Sequence, residues 1–277
     1  MFKQMTIIAG MLLAGSLTAQ IAVKSNDKIA FLGDSITAQG NSFQAGYVNL
    51  VMAGLNANGI KAVKIPAGIS GHKSNNMLDR LERDVLSKKP QIMLLSCGVN
   101  DVWHGKRGVP LPEYKKNIIA IVDRAQAAGI KVCILTATMI REDAKNAANT
   151  QLAAYNDFLR ALAKEKNCLL ADLNADMQQA LAAFKAAHPK AKGNLLTVDG
   201  VHMNPLGNVM MAKGVLRTFG LTDAQLAKAE AAWENLAGNL GPVQLSVRDF
   251  RILSERAADA GMSVGDYIRQ LIAKDVK

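Results

Sequence analysis

Five short apolar runs, each followed by a stretch of helical period, restrict this chain to one kind of architecture. The runs cover residues 28–32, 62–66, 91–96, 131–136 and 168–173, each bounded by glycine, proline, asparagine or charged residues. Helical spacing of apolar residues predicts helices over 46–58, 75–87, 111–128, 147–166, 174–187 and 205–219. Strands that alternate this regularly with helices form a parallel sheet covered on both faces, an α/β fold. Ligands of such sheets bind beyond the carboxyl ends of the strands, so residues just after each run are the ones to inspect for chemistry.

With 277 residues and 49% hydrophobic content the chain can bury one large core and carry an appendage. The pattern changes near Gly220. Residues 221–239 read as an alanine-rich amphipathic helix, Gly241-Pro242 as a break and 243–247 as a strand by alternation. A helix to about residue 260, a stop and new cap at Gly261-Met262-Ser263, and a helix to residue 274 complete the tail. The expected divisions are therefore 1–20, 21–220 and 221–277, the last mostly helical. No internal repeat or low-complexity tract is present.

Residues 1–20 read as an export signal: Lys3 precedes an apolar run over 7–17, and Leu17-Thr18-Ala19 offers a cleavage site. That run is shorter than the about 20 apolar residues of a spanning helix, and no cysteine follows it to take a lipid. A periplasmic or secreted protein without stable membrane insertion is expected, an uncleaved anchor being the alternative. Cys97, Cys133 and Cys168 fall in or beside apolar runs and read as buried free thiols, because parallel neighbouring strands seldom give disulfide geometry. The net charge of +10 lies within residues 21–220, since the tail carries seven basic and eight acidic residues. Such a domain attracts anionic surfaces non-specifically. Nucleic acid is not an expected partner, because no basic helix with interleaved aromatics marks a groove for it.

Four segments supply the parts of acyl transfer: Gly33-Asp34-Ser35, Gly68-Ile69-Ser70-Gly71, Gly98-Val99-Asn100-Asp101 and Asp199-Gly200-Val201-His202. Ser35 follows a strand and a glycine, so its hydroxyl can sit at a turn into a helix, where it needs a base to become nucleophilic. His202 is the candidate base, and Asp199, three residues earlier, is close enough to fix its tautomer. The amides of Ser35 and Gly71 and the side chain of Asn100 could stabilise a developing oxyanion. Read singly, each segment has a plainer meaning; Asn100, for instance, is a common turn former. Asp34 and Asp101 read as supporting hydrogen-bond partners. Trp103 and His104 either line the pocket or serve as a structural aromatic and a solvent-facing histidine. His72 is a weaker candidate, and His188 has no evident partner. The histidines lack ligand spacing, so no metal is expected, and no phosphate-cradling glycine motif is present, so no nucleotide cofactor is expected.

Together, over residues 29–220, these blocks resemble the SGNH hydrolases, also known as the GDSL esterase/lipase family. The resemblance implies a flavodoxin-like three-layer α/β/α sandwich on a five-stranded parallel sheet. It implies Ser35 as nucleophile and first oxyanion donor, Gly71 and Asn100 as further donors, His202 as base and Asp199 as its partner. Carbohydrate acetylesterases, lipases, lysophospholipases and thioesterases all belong to the family. Without a long apolar lid insertion, a small-molecule or polysaccharide ester with a short acyl group, acetyl on a carbohydrate, is the expected substrate. Two alternatives stay open: a lipid-directed esterase, and a non-catalytic binding or regulatory protein that works through its tail. Residues 243–272 are weakly similar to ribbon-helix-helix modules, which pair as dimers, so the tail is also a candidate homodimer contact.

Overall fold

The strand β1, Lys28–Gly33, is buried along almost its whole length, and its neighbour β3, Ile92–Ser96, is apolar on both faces for the same reason. Three more strands, β2 (Val63–Gly68), β4 (Lys131–Leu135) and β5 (Leu169–Ala171), complete a parallel sheet in the order β2-β1-β3-β4-β5. Pro66, exposed and paired with Phe31, is tolerated because β2 lies at the edge, where a missing N–H breaks no ladder. The computed structural model describes residues 21–240 and 243–275. The export segment expected over 1–20 and the Gly241-Pro242 break lie outside the described residues.

Helices α1 (Ser35–Ser42), α2 (Tyr47–Ala57), α3 (Ser74–Asp79), α4 (Leu81–Asp84), α5 (Val99–Trp103), α6 (Leu111–Ala127), α7 (Ala147–Glu165), α8 (Leu173–Ala187) and α9 (Pro205–Thr218) alternate with the strands. One layer joins α1, α2, α9 and α8, and the other joins α3, α6 and α7. The result is the three-layer α/β/α sandwich. Strand order reverses between β1 and β3, and at such a switch point the carboxyl ends of neighbouring strands open a crevice. Ser35 leaves β1 and Asn100 leaves β3 at that crevice.

Two expected helices end differently. The helix expected over 75–87 is cut into α3, α4 and a 3-10 turn at Leu86–Lys88. The interruption falls at Arg80, which is 4% exposed and turns its guanidinium onto the carbonyls of Gly33 and Ala67, each at 2.8 Å. Two charge-assisted bonds to strand ends outweigh helical continuity there. The helix expected over 221–239 stops at Trp233, the end of α10 (Asp223–Trp233). Residues Ala237–Leu240 instead form β6, antiparallel to β7 (Val243–Ser246). Gly238 and Asn239 are poor helix formers, and the alternating 243–247 segment offers them a ladder.

Past β7 come α11 (Val247–Asp259) and α12 (Val264–Asp275). The strand-helix-helix order expected from the tail is present, yet β7 takes its partner strand from its own chain. The tail is built into the body of the protein. Trp233 is 1% exposed and donates from Nε1 to the Leu50 carbonyl at 3.0 Å, while Phe250, Ala257 and Ala258 are buried. His188, for which the sequence offers no partner, meets Asp259 at 3.1 Å and ties the end of α8 to α11. Cys97 and Cys133 are buried free thiols as expected, while Cys168 is half-buried. Among the described residues no helix is long and apolar enough to cross a membrane.

Candidate active site

β1 ends in Gly33, and Asp34 caps the following helix by accepting from the Ile36 N–H at 2.9 Å. Ser35 thereby becomes the first residue of α1, and its own N–H, like the others of a first turn, has no intrahelical acceptor. It is 8% exposed, with the hydroxyl at the floor of a cleft of about 500 Å³. Gly71, Asn100, Trp103, His104, Asp199 and His202 line the same cleft, so the residues singled out around the four blocks converge there apart from Asp34, His72 and Asp101.

The fourth block is the tip of a closed loop. Thr197 and Met203 bridge its base, and the Val198 N–H donates to the His202 carbonyl at 2.8 Å. Asn204 then starts α9 by accepting from the Gly207 N–H at 3.0 Å, so the loop is fixed on its far side. Gly200 has φ 94° and passes so close to the neighbouring loop that a Cβ would lie 3.2 Å from the Arg141 Cα. Only glycine suits both conditions.

Within the tip, Asp199 Oδ1 accepts the N–H groups of Val201 and His202 at 2.9 and 2.8 Å. Its Oδ2 lies 2.6 Å from His202 Nδ1, and His202 Nε2 lies 2.8 Å from Ser35 Oγ. Partial burial alone would raise the Asp199 carboxyl, but the bonds from the His202 ring and the two amides hold it below its ordinary value. An ionised carboxylate only accepts, so Nδ1 carries the proton and Nε2 is left to accept from the serine hydroxyl.

Gly71 has φ 77°, while a Cβ there would meet nothing within 4 Å. Glycine is therefore required by backbone conformation, and clearance for a ligand is not what selects it. Asn100, 5% exposed, donates from Nδ2 to the His72 carbonyl at 3.1 Å, which orients the amide and leaves its second hydrogen for the cleft. Asp101 turns away from the cleft. It accepts from the Ser74 N–H at 3.0 Å and hydroxyl at 2.6 Å, and from Cys97 Sγ at 3.4 Å, tying α3 to the end of β3.

Burial pushes the Asp34 carboxyl up to about 6, the Ile36 amide opposing and nearby Asp101 reinforcing the shift. Below its ordinary 3.8 the group is neutral in folded and unfolded chains alike; from there to about 6 the folded protein retains the proton, so stability falls as pH rises. Asp101 is raised too, first by burial, and acts in the same direction. Thermal melts between pH 4 and pH 6 should show the midpoint dropping with pH. Asp34→Asn, which keeps an N-cap acceptor, should flatten that slope; an unchanged slope would clear Asp34 of the effect.

Three residues of this site escape a sequence reading. Arg80, besides bonding the ends of β1 and β2, donates from Nε to His72 Nδ1 at 3.1 Å and so steadies the second block. Glu142 is 7% exposed and accepts from Leu195, Leu196 and Thr197, the segment that leads into the Asp199–His202 tip. Arg141 lies across the Trp103 ring, 5.3 Å from its centroid. Among the described residues no group of three or more histidine, cysteine or acidic side chains could hold a metal ion.

A family model for GDSL-like lipases and acylhydrolases matches residues 31–209, from β1 into the first turn of α9. The chain belongs to that family. This GDSL-type protein is a carboxylic ester hydrolase. It is 27% identical over 219 residues to an acetylxylan esterase of Geobacillus stearothermophilus, covering 72% of this chain and 96% of the relative. The solved structure of a G. stearothermophilus acetylxylan esterase superposes with a TM-score of 0.64 at 26% identity, over 73% of this chain and 97% of that one. The acetyl xylan esterase AlAXEase gives a TM-score of 0.61 at 33% identity, over 69% and 98% of the two chains. An uncharacterized lipoprotein of Bacillus subtilis, YqeF, is 24% identical over 170 residues, covering 54% of this chain and 70% of the relative.

Proposed function

We propose that this GDSL-type hydrolase is a serine esterase that removes short acyl groups, acetyl above all, from a carbohydrate. The observation that carries the mechanism is the relay from Ser35 Oγ through His202 to Asp199, with both links at 2.8 Å or less. Ser35 Oγ attacks the ester carbonyl as its proton passes to His202 Nε2. Asp199 stabilises the imidazolium that results. The carbonyl oxygen, now negative, is received by the N–H groups of Ser35 and Gly71 and by Asn100 Nδ2. Collapse expels the alcohol, which takes its proton from His202, and leaves an acyl group on Ser35. Water, deprotonated by His202, then attacks the acyl-serine and restores the hydroxyl.

The preference for a short acyl group rests on the shape of the site and on the relatives. Polar groups make up much of the cleft wall, and the two acetylxylan esterases align with most of the chain. A series of p-nitrophenyl esters tests it directly. Turnover per unit KM should be highest for acetate and fall steadily with chain length; a rise beyond about eight carbons would make the enzyme lipid-directed instead. A panel of acetylated polysaccharides would then identify the sugar. We further read the protein as exported, periplasmic or secreted, which the apolar run over 7–17 and the likeness to a protein named a lipoprotein support.

A further inference from the structure

The cleft has an unbalanced rim. Arg141 sits in the loop after β4 with φ 61°, a left-handed conformation secured by its N–H bonding the Gly200 carbonyl at 2.6 Å. That bond ties it to the tip that carries Asp199 and His202. Its guanidinium lies over Trp103, which lines the cleft and is 39% exposed. Stacking on an aromatic face steadies a guanidinium while leaving its N–H edges free to donate in the plane.

No acid pairs with this charge. Among the described residues, no carboxylate forms an ion pair with Arg141, Lys73, Lys106 or Arg107. The acids closest in the chain are engaged elsewhere. Glu142 accepts from the 195–197 segment, Asp143 from the Lys145 N–H at 2.9 Å, and Asp199 from His202. Lys73 and Arg107 stand near enough to His104, on the cleft wall, to add to the effect of burial in pushing its imidazole down, with buried Asp101 opposing them. Residues 21–220 carry the entire excess of positive charge. A neutral substrate would gain nothing from such a rim, whereas an anionic one would be drawn to it and held.

We propose that Arg141, laid over Trp103, is a carboxylate-binding position beside the ester cleft, and that the natural substrate is an acylated sugar in an acidic, uronate-bearing saccharide. The planar fork of Arg141 matches a carboxylate in bidentate fashion, which a lysine cannot do. Lys73 and Arg107 contribute a field over the approach to the site. The inference rests on the esterase reading, because it names the substrate class of that same cleft.

The test compares the full chain on acetylated oligogalacturonate and on acetylated xylo-oligosaccharide of equal length, with p-nitrophenyl acetate reporting ester chemistry alone. The acidic substrate should be preferred by about tenfold in kcat/KM, mostly through KM, and the preference should shrink as salt is raised. Arg141→Gln should bring the two substrates to near parity, and Arg141→Lys should keep only part of the preference. Equal rates on both sugars, cleavage of p-nitrophenyl acetate but of neither sugar, or a preference that survives Arg141→Gln would overturn the proposal. Binding gives a readout independent of turnover. The chain has two tryptophans, of which Trp233 is buried, so unesterified oligogalacturonate should perturb the fluorescence of Trp103 in the wild type and not in Arg141→Gln. Failure to cleave p-nitrophenyl acetate while that signal persists would remove the esterase reading and leave the carboxylate position standing. Absence of the signal removes the position.

Discussion

Ser35→Ala should reduce turnover of p-nitrophenyl acetate by about 10⁶-fold, to assay background, without unfolding the protein. His202 Nε2 meets the Ser35 hydroxyl at 2.8 Å in the cleft, so loss of that hydroxyl leaves the imidazole without the nucleophile it would deprotonate. Alanine is also an excellent helix former at the start of α1, and the cap from Asp34 to Ile36 does not involve the serine side chain. Stability should therefore change little. Asp199→Asn should lower turnover by about 10⁴-fold, since an amide can present its NH₂ to Nδ1 and set the wrong tautomer. In the proposed mechanism the three groups act as a unit, so Ser35→Ala combined with Asp199→Asn should be no slower than Ser35→Ala alone. Steady-state rates on all three variants decide the matter. Appreciable turnover in Ser35→Ala would mean that another nucleophile is at work.

The residues of the candidate site were legible because each stands in a short local pattern, most of them at the end of a strand. Gly33-Asp34-Ser35 and Gly98-Val99-Asn100-Asp101 announce themselves by type and by position after apolar runs, and the parallel sheet brings the two ends together through the β1–β3 pairing. Asp199 and His202 were legible for a similar reason, since their contact spans three residues. The supporting residues were not. Arg80 bonds carbonyls 13 and 47 residues away, and Glu142 bonds amides 53 to 55 residues away. Their partners are backbone groups, which carry no side-chain signature, and a charged residue in a helical pattern reads as a solvent-facing one. Arg80 even conceals itself, because the helix it interrupts has an uninterrupted amphipathic period. The tail shows the same limit from another side. Alanine-rich spacing runs through residue 239, but pairing between β6 and β7 decides where α10 ends. Tertiary context overrides a propensity worth only tenths of a kcal/mol per residue.

Glu142→Ala should destabilise the protein severely and slow whatever folded enzyme remains. Oε2 accepts the Leu195 N–H at 2.7 Å, and Oε1 accepts the Leu196 and Thr197 N–H groups at 2.9 and 2.7 Å and the Thr197 hydroxyl at 2.6 Å. The carboxylate is buried and serves as the shared acceptor for a whole segment of chain. Its removal strands three backbone donors in a dry setting, at about 1–3 kcal/mol each before any water enters. A net loss of about 3–5 kcal/mol follows, which for a domain of this size lowers the melting midpoint by roughly 10 °C. The kinetic consequence is separate. Thr197 Oγ1 also accepts from the Gly200 N–H at 3.1 Å, so Glu142 holds Thr197 and Thr197 holds the tip that carries Asp199 and His202. Once the anchor is gone the imidazole should wander from Ser35, and kcat on a small ester should fall by about 10²-fold at a temperature where the variant is folded. KM should barely move, because Glu142 touches nothing in the cleft. Glu142→Gln keeps one acceptor oxygen for two or three donors but sets an NH₂ against a remaining N–H, so it should fall between wild type and alanine in both measures. Melting curves read the first effect and rates below the transition read the second. A variant that melts early yet turns over at the wild-type kcat would show that Glu142 supports the fold alone and that the tip holds its geometry without it.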